Sequence, residues 1–231
     1  ASFMRTIFVG DTHGCAVELQ DILAAAAYDP SSDRLLLTGD AFARGPDPLG
    51  IWRQIQDTNA KMVLGNHDAG LLDRLEESAA GREPKLKKAD QRYTFAKLAP
   101  AHGEILAWLR QVPLYIETDD FLLVHAGINP EKGLAGTSRE EFITIRTWPP
   151  AKEHTGPRWH DAYQPARPLI VFGHDARGGL VVKERDDKPY LLGLDSGCVY
   201  GNQLSAYILE EARLVRVPSR QQQGEWLQRD A

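Results

Sequence analysis

Thiols are nearly absent from this 231-residue chain: Cys15 and Cys198 are its only cysteines, and they lie far apart in sequence. That count excludes a disulfide framework and leaves both as small core residues. Long apolar runs are missing as well. The longest, residues 22–28, is alanine-rich and far short of a membrane span, and no charged-then-apolar leader opens the chain. Positive charge is not in excess either. Lys and Arg number 27 against 32 Asp and Glu, a formal charge of −5, which argues against non-specific binding to a nucleic-acid backbone. The composition, 42% hydrophobic and 26% charged, suits a cytoplasmic globular protein with no membrane partner. The length suits one large domain better than two. That domain is expected over residues 4–218. Ala1, Ser2 and Phe3 read as a remnant ahead of Met4, and residues 219–231 as a frayed polar tail with Trp226 as an anchor.

The first half alternates strand and helix signals. Residues 5–9, 34–38 and 61–64 are short buried-strand runs, each ending in Gly-Asp or Gly-Asn. Helical patterns follow over 16–27, 48–56 and 71–77, with Pro48 suited to a first turn. Three strand–loop–helix units in a row imply parallel strands and right-handed crossovers. The second half is richer in strands: 114–117 and 121–125 as a hairpin, then 169–172, 179–183, 190–193, 205–209 and 213–217. Two segments fit neither pattern, the polar and basic 79–97 and the Pro-, Trp- and His-rich 144–168; both read as loop excursions.

Five motifs sit at the ends of predicted strands: Gly10-Asp11-Thr12-His13-Gly14, Gly39-Asp40, Gly65-Asn66-His67-Asp68, His125-Ala126-Gly127 and Gly173-His174. The carboxyl ends of strands border the ligand crevice of open α/β sheets. Taken singly, an Asp after Gly is a turn or N-cap residue, and a lone His is a hydrogen-bonded structural one. Four of the seven histidines, His13, His67, His125 and His174, nevertheless fall in these Gly-flanked motifs. Together Asp11, His13, Asp40, Asn66, His125 and His174 form a donor set for two divalent metals bridged by Asp40. Its oxygen and imidazole atoms, without thiolate, favour Mn, Fe, Co or Zn over a structural zinc. His102, His154 and His160, in polar or loop segments, read as solvated.

This ordered set resembles the calcineurin-like metallophosphoesterases, and within them the phosphoprotein-phosphatase branch, over about residues 6–209. The stretch Leu194-Asp195-Ser196-Gly197-Cys198-Val199-Tyr200-Gly201 belongs to the likeness. The resemblance implies a four-layer α/β/β/α sandwich of the α/β class and two metals, Mn first among them. Asp11, His13 and Asp40 would surround one metal, and Asp40, Asn66, His125 and His174 the other. It places Arg44 as a clamp on phosphate oxygens, for which its planar fork suits it, and His67 beside the leaving oxygen. Many phosphatases of that branch carry Asp just before the motif arginine, paired with the histidine equivalent to His67. Here that position is Ala43, which leaves His67 the weaker general acid.

A serine alkoxide needs protonation to leave, whereas a nucleoside diphosphate needs little. Ala43-Arg44-Gly45-Pro46, with Gly-Asn-His-Asp and Gly173-His174-Asp175-Ala176-Arg177, is similar to the symmetric diadenosine tetraphosphatases. The expected reaction is therefore cleavage of diadenosine tetraphosphate to two ADP. A serine/threonine or tyrosine protein phosphatase and a polyphosphate or RNA-cap hydrolase are the alternatives, and the complete donor set speaks against a non-catalytic binding module. Candidate substrate contacts are Lys88, Arg92 and Tyr93 in the basic excursion, Trp148, Trp159 and Tyr163 in the Pro-rich one, and Arg146, Arg158 and Arg177 as a second phosphate clamp.

Overall fold

The computed structural model describes residues 5–222; Ala1, Ser2 and Phe3, expected to be a remnant, Met4 and the expected Trp226 anchor lie outside the described residues. In chain order, β1 (Arg5–Val9), α1 (Ala16–Ala25), β2 (Asp33–Leu37), α2 (Pro48–Thr58), β3 (Lys61–Met62) and α3 (Asn66–Ala79) realise the predicted strand–helix units. Helices α4 (Ala89–Lys97) and α5 (His102–Leu109) follow, then the hairpin of β4 (Tyr115–Glu117) and β5 (Leu122–Val124). A short α6 (Arg139–Thr144) precedes a long loop. The chain closes with β6 (Ile170–Phe172), β7 (Val181–Arg185), β8 (Lys188–Gly193), β9 (Gln203–Ile208) and β10 (Arg213–Pro218).

The strands form two five-stranded sheets, ordered β10-β9-β1-β2-β3 and β4-β5-β6-β8-β7. β1, β2 and β3 are parallel, as are β5, β6 and β8, while the remaining strand pairs are antiparallel. Alternation along the strands explains the layering. Phe8, Leu36, Leu123, Val171 and Leu192 belong to one buried cluster, which is the seam between the sheets. Their neighbours Ile7, Val9, Leu35, Leu37, Leu122, Val124, Ile170, Phe172 and Leu191 face outward into a second cluster shared with the helices. Phe8 of one sheet meets Phe121 of the other edge-on at 4.9 Å. Strands buried on both faces read as continuous apolar runs, and the result is the expected pair of sheets flanked by helices.

Two expectations need correction, and a third holds with an addition. Residues 79–97 are a loop excursion only in their first half, because α4 fills the second. Its buried positions are Asp90 and Thr94 rather than apolar residues, so it carries no apolar periodicity. The long loop of 144–168 is a loop, as expected, but Trp159, Tyr163 and Phe142 and Ile143 of α6 belong to the buried cluster that covers the outer side of the second sheet. The start of the tail is not frayed. Ser219 Oγ donates to Cys198 O at 2.6 Å, Arg220 pairs with Asp21 at 2.8 Å, and Gln221 Nε2 donates to Glu18 at 3.0 Å. Among the described residues no helix is long and apolar enough to cross a membrane.

Candidate metal centre and flanking cavities

All six predicted metal donors leave the carboxyl ends of strands: Asp11 and His13 after β1, Asp40 after β2, Asn66 after β3 as the first residue of α3, His125 after β5 and His174 after β6. The structure brings them together. Asp11, His13 and Asp40 form one buried group with donor atoms within 4.8 Å of one another, and Asp40, His125 and His174 form another, with Asp40 common to both. Asn66 joins through Oδ1, 3.2 Å from His125 Nε2.

Anchors aim the rings. His125 Nδ1 donates to Thr38 O at 2.7 Å and turns Nε2 to Asp40 Oδ2 at 3.2 Å. His13 Nδ1 lies 3.0 Å from Ala43 O, and its Nε2 stands 3.9 Å from both Asp11 Oδ2 and Asp40 Oδ2, too far for a hydrogen bond but suited to a shared cation. His174 is held through Nε2 near Thr144 O, and its backbone N–H donates to Asp11 Oδ2. Glycine makes room for the donors. A Cβ at Gly65 would fall 2.1 Å from Asp40 Oδ1, and one at Gly173 would fall 2.1 Å from Asp11 Oδ1. Four of the site's non-glycine residues adopt left-handed backbone, His13 (φ 41°), Asp40 (φ 53°), Arg44 (φ 73°) and His174 (φ 71°), a conformation costing on the order of 1–3 kcal/mol each unless the surroundings enforce it.

Charge tells the same story. Burial opposes a charged His125, yet Asp40 and Asp11 push its pKa up to about 10. Burial, then Asp195, pushes Asp11 well above the usual carboxylate range. Asp40 is pulled well below that range, against burial, by His125 and His67. Buried carboxylates that hold a proton on a neighbouring imidazole form a pocket for positive charge, and this donor set fits divalent cations sharing Asp40.

Several organising residues escaped the sequence reading. Asp68 Oδ2 accepts from Asp40 N at 2.7 Å and Gly65 N at 2.9 Å, and Oδ1 accepts from Ala41 N at 3.2 Å. One side chain thus staples two strand-end loops; burial and Asp40 push its pKa up to about 6. Asp68 closes the Gly65-Asn66-His67-Asp68 motif, and its position three residues after Gly65 is the signal that marks it. Arg44 donates through Nη1 to the Tyr200 hydroxyl, and its Nε lies 3.6 Å from Asp90 Oδ2 of α4. Nothing in the sequence marked Asp90. Asp195 and Tyr200 stood in the quoted 194–201 stretch without roles.

A cavity of about 450 Å³ opens on the donors, lined by His13, Asp40, His67, Arg44, Arg146 and Arg177. A second, of about 520 Å³, touches Asn66 and His174 and shares Arg146 and His154 with the first. Burial, partly offset by Asp40, holds the His67 pKa below its usual value. Of the other predicted contacts, Lys88, Arg92 and Tyr93 belong to α4 and its N-cap, outside the walls of both cavities. Arg92 bonds Leu86 O, and Tyr93 OH donates to Pro46 O at 2.7 Å. Trp159 lies in the core, 1% exposed, with Nε1 donating to Ala126 O and its ring 5.3 Å from that of Phe172. A Cβ on Gly127 would fall 2.3 Å from that indole, which explains the glycine of His-Ala-Gly. Arg158 pairs with Asp175 at 2.8 Å. His160, expected in solvent, is buried, and burial pushes its pKa down to about 4. His154 faces the cavities, and His102 Nε2 lies 2.7 Å from Phe95 O.

A model of the calcineurin-like phosphoesterase family matches residues 4–223. The chain is 31% identical to a symmetrical bis(5'-nucleosyl)-tetraphosphatase of Edwardsiella ictaluri, covering 94% of this chain and 97% of that protein. It is 30% identical to the protein of that name from Aeromonas salmonicida, covering 93% and 98%. The first alignment spans 280 positions, more than this chain contains, so that relative carries segments missing here. Among solved structures, one of a chain provisionally assigned as a diadenosine tetraphosphatase superposes with a TM-score of 0.74 at 32% identity, covering 93% of each.

Proposed function

The chain belongs to the calcineurin-like phosphoesterases, and we propose that within them it hydrolyses a dinucleoside polyphosphate, diadenosine tetraphosphate, symmetrically to two ADP. The observation that carries this reading is the arginine set. Arg44, Arg146 and Arg177 line one cavity beside the buried donors, which is room and charge for more than a single phosphate. Names shared by relatives matched over nearly their whole length support the same substrate.

Asp11, His13 and Asp40 would hold one cation, and Asp40, Asn66, His125 and His174 the other; manganese suits this oxygen-and-imidazole set, with Co, Fe or Zn as substitutes. Two divalent cations supply a nucleophile at neutral pH and offset charge at phosphorus. The protein's own part is positioning. Arg44, fixed between the Tyr200 hydroxyl and Asp90, meets the oxygens of the phosphoryl group under attack. Arg146 and Arg177 take the next phosphates along the chain. His67 lines the cavity as a neutral imidazole, a poor acid that suits a nucleoside diphosphate leaving group better than a serine alkoxide.

Chromatography of products from Mn²⁺-loaded protein tests the reading. ADP is expected as the sole early product of diadenosine tetraphosphate, with a phosphopeptide turned over slowly. Phosphate from the peptide with the dinucleotide intact would move the protein to the phosphatases, and ATP plus AMP would overturn symmetric cleavage.

A further inference from the structure

We propose that the second cavity is a nucleoside subsite, receiving one base and ribose of the substrate while the first cavity receives phosphates. The inference rests on the dinucleotide reading above and adds to it a location and a side chain, Trp148.

The two cavities meet at the buried donors. His174 and Arg146 line both, His13 and Asp40 face only the first, and Asn66 faces only the second. A ligand with a phosphate at the donors therefore reaches into each. Their chemistry differs. The first presents Arg44, Arg146 and Arg177. The second has Arg146 as its one arginine, set against Glu140 and Glu141, and adds an apolar lining of Ile145, Trp148 and Pro150. Two carboxylates beside the shared Arg146 make this cavity poorer ground for a polyphosphate than the three arginines of the first, whereas an uncharged ring with hydroxyls and an exocyclic amine can stack on the apolar wall and donate to the glutamates. At about 520 Å³ the space lies within the range of small-molecule sites.

Trp148 is held ready for this. Its ring is half-buried, and Nε1 donates to Glu131 Oε1 at 3.1 Å, which fixes the indole plane. Its backbone N–H donates to Pro157 O at 2.9 Å, and Trp159 N donates to Arg146 O at 2.9 Å. An antiparallel bridge joins Thr147 to Arg158, and Thr147 Oγ1 accepts from Ala151 N at 2.8 Å. The loop thus has a paired stem with the indole at its end. Trp159, eleven residues along, is sunk in the core, so of these two aromatics only Trp148 is placed to meet a base.

Titration calorimetry with ADP, and separately with inorganic phosphate, on the manganese-loaded protein tests this. Trp148→Ala is expected to weaken ADP about tenfold or more, the worth of one base–aromatic stack, while leaving phosphate affinity unchanged; Trp148→Phe should restore most of the loss. Ala151→Trp, at an exposed position on the cavity wall, guards against misfolding of the first variant by filling the space, and should weaken ADP alone. Equal loss of ADP and phosphate binding, or no loss of ADP binding in either variant, overturns the subsite. Failure of the wild-type protein to release ADP from diadenosine tetraphosphate would instead overturn the functional reading, and the ADP titration would still decide the cavity.

Discussion

The strand-end loops and the two long insertions at 79–97 and 144–168 serve one cleft by different means. The loops are short, glycine-flanked and pinned from several sides: Asp40 alone receives an N–H from His67 on its carboxylate and gives its own N–H to Asp68. The insertions supply Asp90 from α4, and Arg146 and Trp148 from a loop whose stem is a single bridge between Thr147 and Arg158. Over-determined geometry goes to the groups proposed to hold cations, where small errors in position are costly. Looser geometry goes to the groups proposed to meet the rest of the substrate.

Substitutions in each region should separate the two. Asp40→Asn is expected to have the largest effect, at least about 10³-fold on ADP release together with lost metal content by elemental analysis, because the two donor groups share that carboxylate. Comparable activity with full metal content would break the contrast. Asp68→Asn comes next. An amide oxygen cannot accept from all three backbone N–H groups that Asp68 serves, so a buried donor is orphaned at about 1–3 kcal/mol, measurable by urea denaturation. Metal affinity should fall with it, by roughly tenfold.

From the insertions, Asp90→Asn should cost only about three- to tenfold in kcat/KM by loosening Arg44, whose Nε stands 3.6 Å from that carboxylate. A loss as deep as that of Asp40→Asn would place α4 with the loops. The smallest effect belongs to His160, within the second insertion. Its pKa, pushed down to about 4 by burial, means that the unfolded chain binds a proton at a higher pH than the folded one. Its contribution is complete above about pH 6.5 and declines as pH falls toward 4. His160→Phe should flatten the fall of Tm over that window, and an unchanged slope would count against the assignment.

The same division governs how much the sequence disclosed. The sheets were legible because strands buried on both faces must be continuously apolar, as in β1, β5 and β6. The clustering of the six candidate donors was legible because a strand end next to glycine is where a short polar side chain can meet others across the sheet. Helix α4 was not, since its buried positions are Asp90 and Thr94. Trp148 and Trp159 look alike in a Pro-rich stretch. One faces a cavity and the other fills the space left by Gly127, a difference decided by contacts with β5 and β6 that no local pattern encodes.

The left-handed backbone at His13, Asp40, Arg44 and His174 sets heat resistance against chemistry. Glycine at any of these positions would relax the chain, by roughly 1–2 kcal/mol, and would also delete the donor or the clamp. A screen for thermostability alone should therefore gather folded but inert variants, and a relative that has retired from catalysis should melt higher than this protein.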